Sequence, residues 1–549
     1  MRSTQSPAGD RRRFLTQVGS LAAVAAGVPF AGGASLRASE HGHDDHDRDD
    51  ALEQRAREAY RLRVEAARFQ RDRPMPSQRA NGDELRYSDF IGNFSKSLAH
   101  DGFGTVDPAA YAALLRAMRT GDPADFAAIP RGGVAKLNNP QAAFAFQMDG
   151  ADSHHLGVRV PPALASAEEA GEMAEIYWLA LTRDVPFANY GTDPVIAAAA
   201  AHLSTLSDFR GPKTAGQVTP ANIFRGTTPG DLTGPYISQF LLKPVPHGAY
   251  TITQKIRSGV AGVDYLWDYA SWLSIQNGAA AAPYAIVDAT SARFVNDNRT
   301  VSAFLRADFV GQAFLDAGLT LLGFGLNALS PTNPYRTSAN QSAQATFGGA
   351  ELTDLIAHAC EIALKAVYYQ KWSVHRRLRP EEFGGLIHNM KTTALRYPIH
   401  PEILDASVLT AVHDKYGSYL LPMAYPEGSP THPAYPAAHA AFAGAGATIL
   451  KAFFDERFVI PSPVEASADG TVLNPYAGTL TVGDEVNKLA SNISLGRDAS
   501  GVHWRSDGAE GLRLGEAAAI ALLQDVRPTH NESFSGFTFT KFDGTTMVI

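Results

Sequence analysis

The chain has 549 residues, 45% hydrophobic and 19% charged, which is enough apolar material for a large core and too little charge for a disordered polymer. A formal net charge of -8, with no Lys/Arg block beyond the extreme N-terminus, excludes a nucleic-acid-binding face. Cys360 is the sole cysteine, which rules out an intrachain disulfide and a cysteine-based metal site, so any metal must be held by His or oxygen ligands.

Arg11-Arg12-Arg13-Phe14-Leu15 precedes an uncharged Ala- and Gly-rich run from Val18 to Ala34, too short and small-residued to span a bilayer. Residues 1–38 therefore read as a twin-arginine signal, which predicts export of an already folded protein, periplasmic or secreted, with no membrane span after cleavage. Residues 39–50 mix His41, His43 and His46 with five aspartates and lack apolar anchors, so a solvated linker is expected. Leu52, Ala56, Tyr60, Val64 and Ala67 then recur at helical spacing to Asp72. This charged helix is expected to pack outside the catalytic core or against another subunit, with 39–80 preceding a main domain over 81–549.

Within that domain Ser166 and Glu169 form a capping box, and Leu352, Leu355, Ile356, Ala359, Ala363 and Ala366 make one apolar stripe. Strand-like alternation is scarce. The expected fold class is all-α, with helical bundles joined by long Pro/Gly-rich loops such as 186–236 and 421–436, and little β. The glycines of 318–327 follow no strand in a GxGxxG pattern and suit helix packing better than nucleotide binding.

Three segments between 365 and 510 describe an oxyanion site. KWSVHRRLRP places Lys371 at the end of the apolar helix and Arg379 before Pro380, where the chain must leave helical geometry. Arg379 can hold two oxygens of a tetrahedral anion, and Lys371 is a compact charge that polarises one atom. HPAYPAAHAAFAGAG sets His432 seven residues before His439, with Pro436 at a helix start and Ala437-Ala438 offering backbone N–H groups. GRDASGVHWRSDGAEGLRLGE spaces Arg497, His503 and Asp507 as R-x5-H-x3-D, so that on a helix the carboxylate accepts from one imidazole nitrogen and aims the other at a ligand.

K-x7-RP, P-x-x-H and R-x5-H-x3-D in this order resemble the vanadium haloperoxidase and acid phosphatase superfamily. Over roughly 85–545, segments such as FQMDGADSHHLGVRVPP and FRGTTPGDLTGPYISQFLLKPVPHG look like its bromoperoxidase branch. The resemblance implies a vanadate cofactor with His503 as the axial vanadium ligand, Arg379, Arg497 and the Ala438 amide on its oxygens, and Lys371 polarising bound peroxide. It implies His439 as the acid/base and Asp507 as the group orienting His503. His432 matches a bromoperoxidase histidine and implies bromide or iodide, with hydrogen peroxide and an organic acceptor as the other partners; a homo-oligomer is expected. Where the family has Pro-Ser-Gly-His, this chain has Pro436-Ala437-Ala438-His439, so one hydroxyl donor is missing. Two alternatives stay open: an acid phosphatase with His503 as nucleophile, and a non-catalytic oxyanion-binding protein.

Overall fold

In the computed structural model, which describes residues 42–549 with side chains from Arg48, α-helices alternate with long loops. The strands among the described residues are three short antiparallel pairs, which fits the expected all-α class. The arginine-rich signal and His41 lie outside the described residues. The first helix, α1 (Gly42–Arg71), begins inside the stretch expected to be a linker. The described chain divides into two compact units within α1, and the second, Leu62–Ile549, holds everything that follows.

Half of the capping box expected at 166 forms in α2 (Ala167–Leu181): the Ser166 hydroxyl accepts from the Glu169 amide at 3.1 Å, while the Glu169 carboxylate turns to Arg377 instead of the Ser166 amide. This helix buries Glu169, Glu172 and Glu175 beside Met173 and Tyr177. Next, α3 (Asn298–Ala307) is capped by Asp297 and ends at Asp308. The six-residue apolar stripe forms the buried face of α4 (Gly349–Tyr369), which continues into a single π-helical turn at Gln370–His375. After an extended stretch, α5 (Pro380–Thr392) starts on proline, which lacks the amide a helix start cannot use.

At the centre, α6 (Ala438–Phe453) is buried along its whole length except at His439. It packs against α4, α7 (Val482–Ala499) and α8 (Arg505–Val526). Its Ala- and Gly-rich sequence lets backbones approach: a Cβ on Gly515 of α8 would lie 1.8 Å from the Ala441 carbonyl oxygen, and one on Gly444 2.1 Å from that of Leu512. Gly318 packs against Leu352, Ile356 and Leu450, the helix-packing role expected for that glycine-rich run.

Apolar side chains gather into two cores. Trp372 and Ala438 belong to one, and Leu378, Val502 and Trp504 to the other, so the segments carrying the candidate site run along the seam between them. Among the described residues no helix is long and apolar enough to cross a membrane.

Substituting Gly515→Ala tests the central contact. Alanine gains helix propensity of roughly 1 kcal/mol, but its methyl would meet three backbone atoms that cannot rotate away, and overpacking of this kind typically costs about 1–3 kcal/mol or more. The variant is expected to unfold at lower denaturant, while Gly191→Ala, which has nothing within 4 Å, serves as a control. Equal stability of the two variants would mean that α6 and α8 do not touch there.

Candidate active site

The three cations expected from sequence come together in the interior. Lys371 lies in the π turn, whose extra residue is closed by the Arg376 amide on the Lys371 carbonyl at 3.0 Å, and its Nζ donates to the carbonyls of Pro433 (2.7 Å) and Ala434 (2.6 Å). Arg379 is the N-cap residue of α5, outside helical geometry as expected of the residue before Pro380. The residue before proline is driven to extended φ/ψ, here -91° and 156°, which turns its side chain inward. The guanidinium donates to the carbonyls of His432 (2.8 Å) and Val502 (2.7 Å), to His432 Nδ1 and to His503 Nε2, the last two at 2.9 Å. Arg497 near the end of α7 donates to the Leu305 carbonyl at 2.8 Å, 5.8 Å from the Tyr425 ring. Lys371 and Arg379 are fully buried and Arg497 is 4% exposed.

His503 and Asp507 pair as expected, Nδ1 to Oδ2 at 2.7 Å, but not along a helix. His503 precedes Trp504, the N-cap of α8, and Asp507 is the third helical residue, where its carboxylate also accepts from the Trp504 amide at 3.2 Å. A guanidinium can only donate, so His503 Nε2 accepts from Arg379 and the ring proton sits on Nδ1. The same reasoning makes His432 Nδ1 an acceptor. His439, 21% exposed and the most open of the group, faces Asp308 Oδ1 through Nε2 at 3.1 Å. Ala438 is the first residue of α6, two residues later than the Pro436 start expected, and Ala437 is its N-cap. The Ala437 amide is already bonded to the Asp507 carbonyl at 2.9 Å, so the first amides without an intrahelical acceptor are those of Ala438 to Ala440.

Charge explains what this arrangement favours. Burial, then Arg379 and Arg497, holds the Lys371 pKa well below its ordinary value; burial chiefly brings Arg379 down to about 10. Burial, then Arg379, Lys371 and Arg497, holds His503 well down, so it is neutral and presents a lone pair at Nε2, the ligand form of imidazole. His432 is likewise well lowered by burial, then Lys371 and Arg379, and His439 is lowered by burial and Arg497 against the pull of Asp308. Burial raises Asp507 while Arg377, Lys371 and Arg379 oppose it. Buried like charges depress one another in this way when no counter-ion offsets them. Arg497 Nε is a buried donor with no acceptor among the described residues. Among those residues no three His, Cys, Asp or Glu side chains gather as a cation cage. The residues present therefore fit a multiply charged oxyanion with one position open to nitrogen, which is the chemistry of vanadate.

Two participants escaped sequence reasoning. Asp308, at the end of α3, lies far upstream of the motifs, and only its place as a C-cap next to Arg306 sets it apart. Arg377 stands two residues before Arg379 in the extended stretch, so both reach the same side while Arg376 turns away to Glu84; the run of arginines was the signal. A cavity of about 340 Å³ touches Glu172 and Ser506 but none of the residues expected to hold the anion.

Together the helical fold and the buried cationic pocket define a class of oxyanion-dependent enzyme. The model of the VCPO second helical-bundle domain matches residues 359–532, which include Lys371 through Asp507. The vanadium-dependent bromoperoxidase of Corallina pilulifera is 33% identical, covering 91% of this chain and 99% of the relative. That of Ascophyllum nodosum is 35% identical, covering 91% and 93%. The homohexameric second vanadate-dependent bromoperoxidase of Ascophyllum nodosum superposes with a TM-score of 0.87 at 30% identity, covering 96% of this chain and 95% of that one. The chain belongs to the vanadium haloperoxidase family.

His375 in the π turn gives a pH test of the buried pocket wall. Burial, helped by Arg376 and Arg377, lowers its pKa to about 3, so it folds neutral and takes a proton on unfolding. Its contribution is present above the unfolded value near 6.5 and is lost as pH falls toward the folded value. Between pH 7.5 and 5 the wild type should lose about 2 kcal/mol more than His375→Gln. Denaturant melts with parallel pH dependence for both proteins would contradict a buried neutral imidazole.

Proposed function

We propose that this protein is a vanadate-dependent haloperoxidase that uses hydrogen peroxide to oxidise bromide or iodide to hypohalous acid, halogenating organic acceptors. The observation that carries this reading is the buried set Lys371, Arg379 and Arg497 around a neutral His503, which lacks the negative charge to balance it. When bound, vanadate supplies Lewis-acid activation of peroxide toward halide. His503 Nε2 would be the ligand, and Arg379, Arg497 and the Ala438 amide would hold the oxygens. Lys371 polarises the peroxide, as a fixed charge that needs no reorganisation. His439, oriented by Asp308, exchanges protons at the exposed side. His432, neutral and 5.6 Å from the Tyr368 ring, borders the site and sets the halide preference. Likeness along nine-tenths of the chain, well beyond the three motifs, favours this over a phosphatase. We propose also that residues 1–38 direct export by the twin-arginine route, to the periplasm or outside, and that the protein forms a homo-oligomer, as the homohexameric relative does.

Adding orthovanadate to the purified protein should produce bromination in the presence of peroxide, and phosphate should compete. His503→Ala should remain folded and bind no stoichiometric vanadium. Phosphate-ester turnover without vanadate-dependent bromination would establish the phosphatase instead.

At 437 the missing hydroxyl gives a second test. As N-cap, a serine there can accept from the Ala440 amide, which is worth roughly 1 kcal/mol, and donate to the anion. A hydrogen bond to a charged group contributes about 1.5–3 kcal/mol, so Ala437→Ser should lower the vanadate Kd about ten-fold and raise the melting temperature of the vanadate-free protein. Higher stability with unchanged affinity would show that the hydroxyl caps the helix and does not reach the anion.

A further inference from the structure

We infer that Arg377 is the positioning residue of the vanadate ligand: held by Glu169 and Glu172 of α2, it fixes the Asp507 carboxylate that orients His503. The inference rests on the reading of His503 as that ligand. Arg377 is 1% exposed and spends both terminal nitrogens on this task. Nη1 donates to Asp507 Oδ1 and Ser506 Oγ, both at 2.8 Å, while Nη2 donates to Glu172 Oε2 at 2.9 Å and to Glu169. Its guanidinium lies 4.8 Å from the Trp504 ring, over the residue between His503 and α8.

The consequence is a division of labour on one carboxylate. Oδ1 belongs to Arg377, and Oδ2 is left for His503 Nδ1 and the Trp504 amide. Rotation of the carboxylate would break both sets at once, so the fork fixes the plane in which the imidazole sits. Glu172 closes the arrangement from the other side by accepting from the Ser506 amide at 2.6 Å and its hydroxyl at 3.0 Å. Three consecutive residues of α8, Arg505 to Asp507, are thereby tied to α2, since Arg505 also pairs with Glu175 at 2.7 Å. The backbone of the same Asp507 receives the Ala437 amide, which couples the start of α6 to the same anchor. A lysine could supply the charge but not the planar fork that serves four acceptors.

A purely structural ion-pair network would also be buried, so the test must read the imidazole itself. Arg377→Lys keeps the charge balance. Arg379 keeps the proton on Nδ1 in both proteins, so the readout is the Nδ1–H bond to Asp507: in vanadate-free protein, NMR should find the wild-type Nδ1 proton far downfield and slow to exchange with water, and that of the variant shifted upfield and faster to exchange. In phosphate-free buffer, calorimetric titration should show orthovanadate binding weakened about 10- to 100-fold, the usual effect of removing a group that orients a metal's ligand. In an Asp507→Asn background the same change should shift Kd by less than about two-fold, because Arg377 acts through Asp507. Should Arg377→Lys fail to fold, Glu172→Gln carries the same readouts with a smaller expected shift. An Nδ1 proton signal unchanged in the variant, or an effect that persists in full in the Asp507→Asn background, overturns the inference. Absence of vanadate binding in the wild type would instead sink the functional reading, and the Nδ1 proton measurement would still decide the role of Arg377.

Discussion

Holding Lys371, Arg379 and Arg497 out of water is the constraint on which the rest of the structure depends. Each buried cation carries a desolvation cost of several kcal/mol that only close partners offset. The fold supplies these partners mostly as backbone carbonyls, from Pro433, Ala434, His432, Val502 and Leu305, which lend partial charge without neutralising the site. A pocket lined by carboxylates would be more stable when empty and would bind an oxyanion poorly. Dipoles satisfy the donors and preserve the positive potential.

Every helix boundary near the site follows from that need. The carbonyls of 432–434 are free to accept because the chain there is a loop before α6 rather than part of it. The π turn after α4 displaces Lys371 from the regular helix, and Pro380 forces Arg379 into the extended conformation from which it reaches His432 and His503. The starts of α6 and α8 then have to lie side by side, and Gly444, Gly511 and Gly515 make this possible. A Cβ on Gly511 would already stand 2.7 Å from the Ala437 carbonyl, the residue that caps α6. Close helix packing and site geometry are therefore one feature.

The fold class and the residues that gather in the buried cationic pocket were legible because they depend on local pattern: 3.6-residue periodicity, a proline next to an arginine, a histidine four residues from an aspartate. What the sequence obscured is tertiary. His503 and Asp507 meet at the spacing of a helix without the histidine being in one, since an N-cap geometry brings the same residues together. The apparent start at Pro436 moved to Ala438 because Ala437 is extended, at ψ 126°, and stands as the N-cap. The acidic stretch read as a linker is helical from Gly42. Asp308, 131 residues from His439 along the chain, carries no periodic signature of its partner.

Around Arg377 the balance reverses. Glu169, Glu172 and Asp507 surround a single guanidinium, and burial together with Glu172 keeps the Glu169 pKa well above its ordinary value, so that zone relieves its surplus by retaining protons. The cationic zone has only a partial remedy of this kind: its histidines shed their charge, but arginine stays charged even with its pKa lowered to about 10. Asp507 stands between the zones and is shared by Arg377 and His503, so it cannot neutralise either. The remaining way to balance Arg379 and Arg497 is an external anion, and any ligand that binds only the native state adds its binding free energy to the stability of the fold. The same electrostatic imbalance that makes the empty pocket costly thus makes it selective for a multiply charged oxyanion.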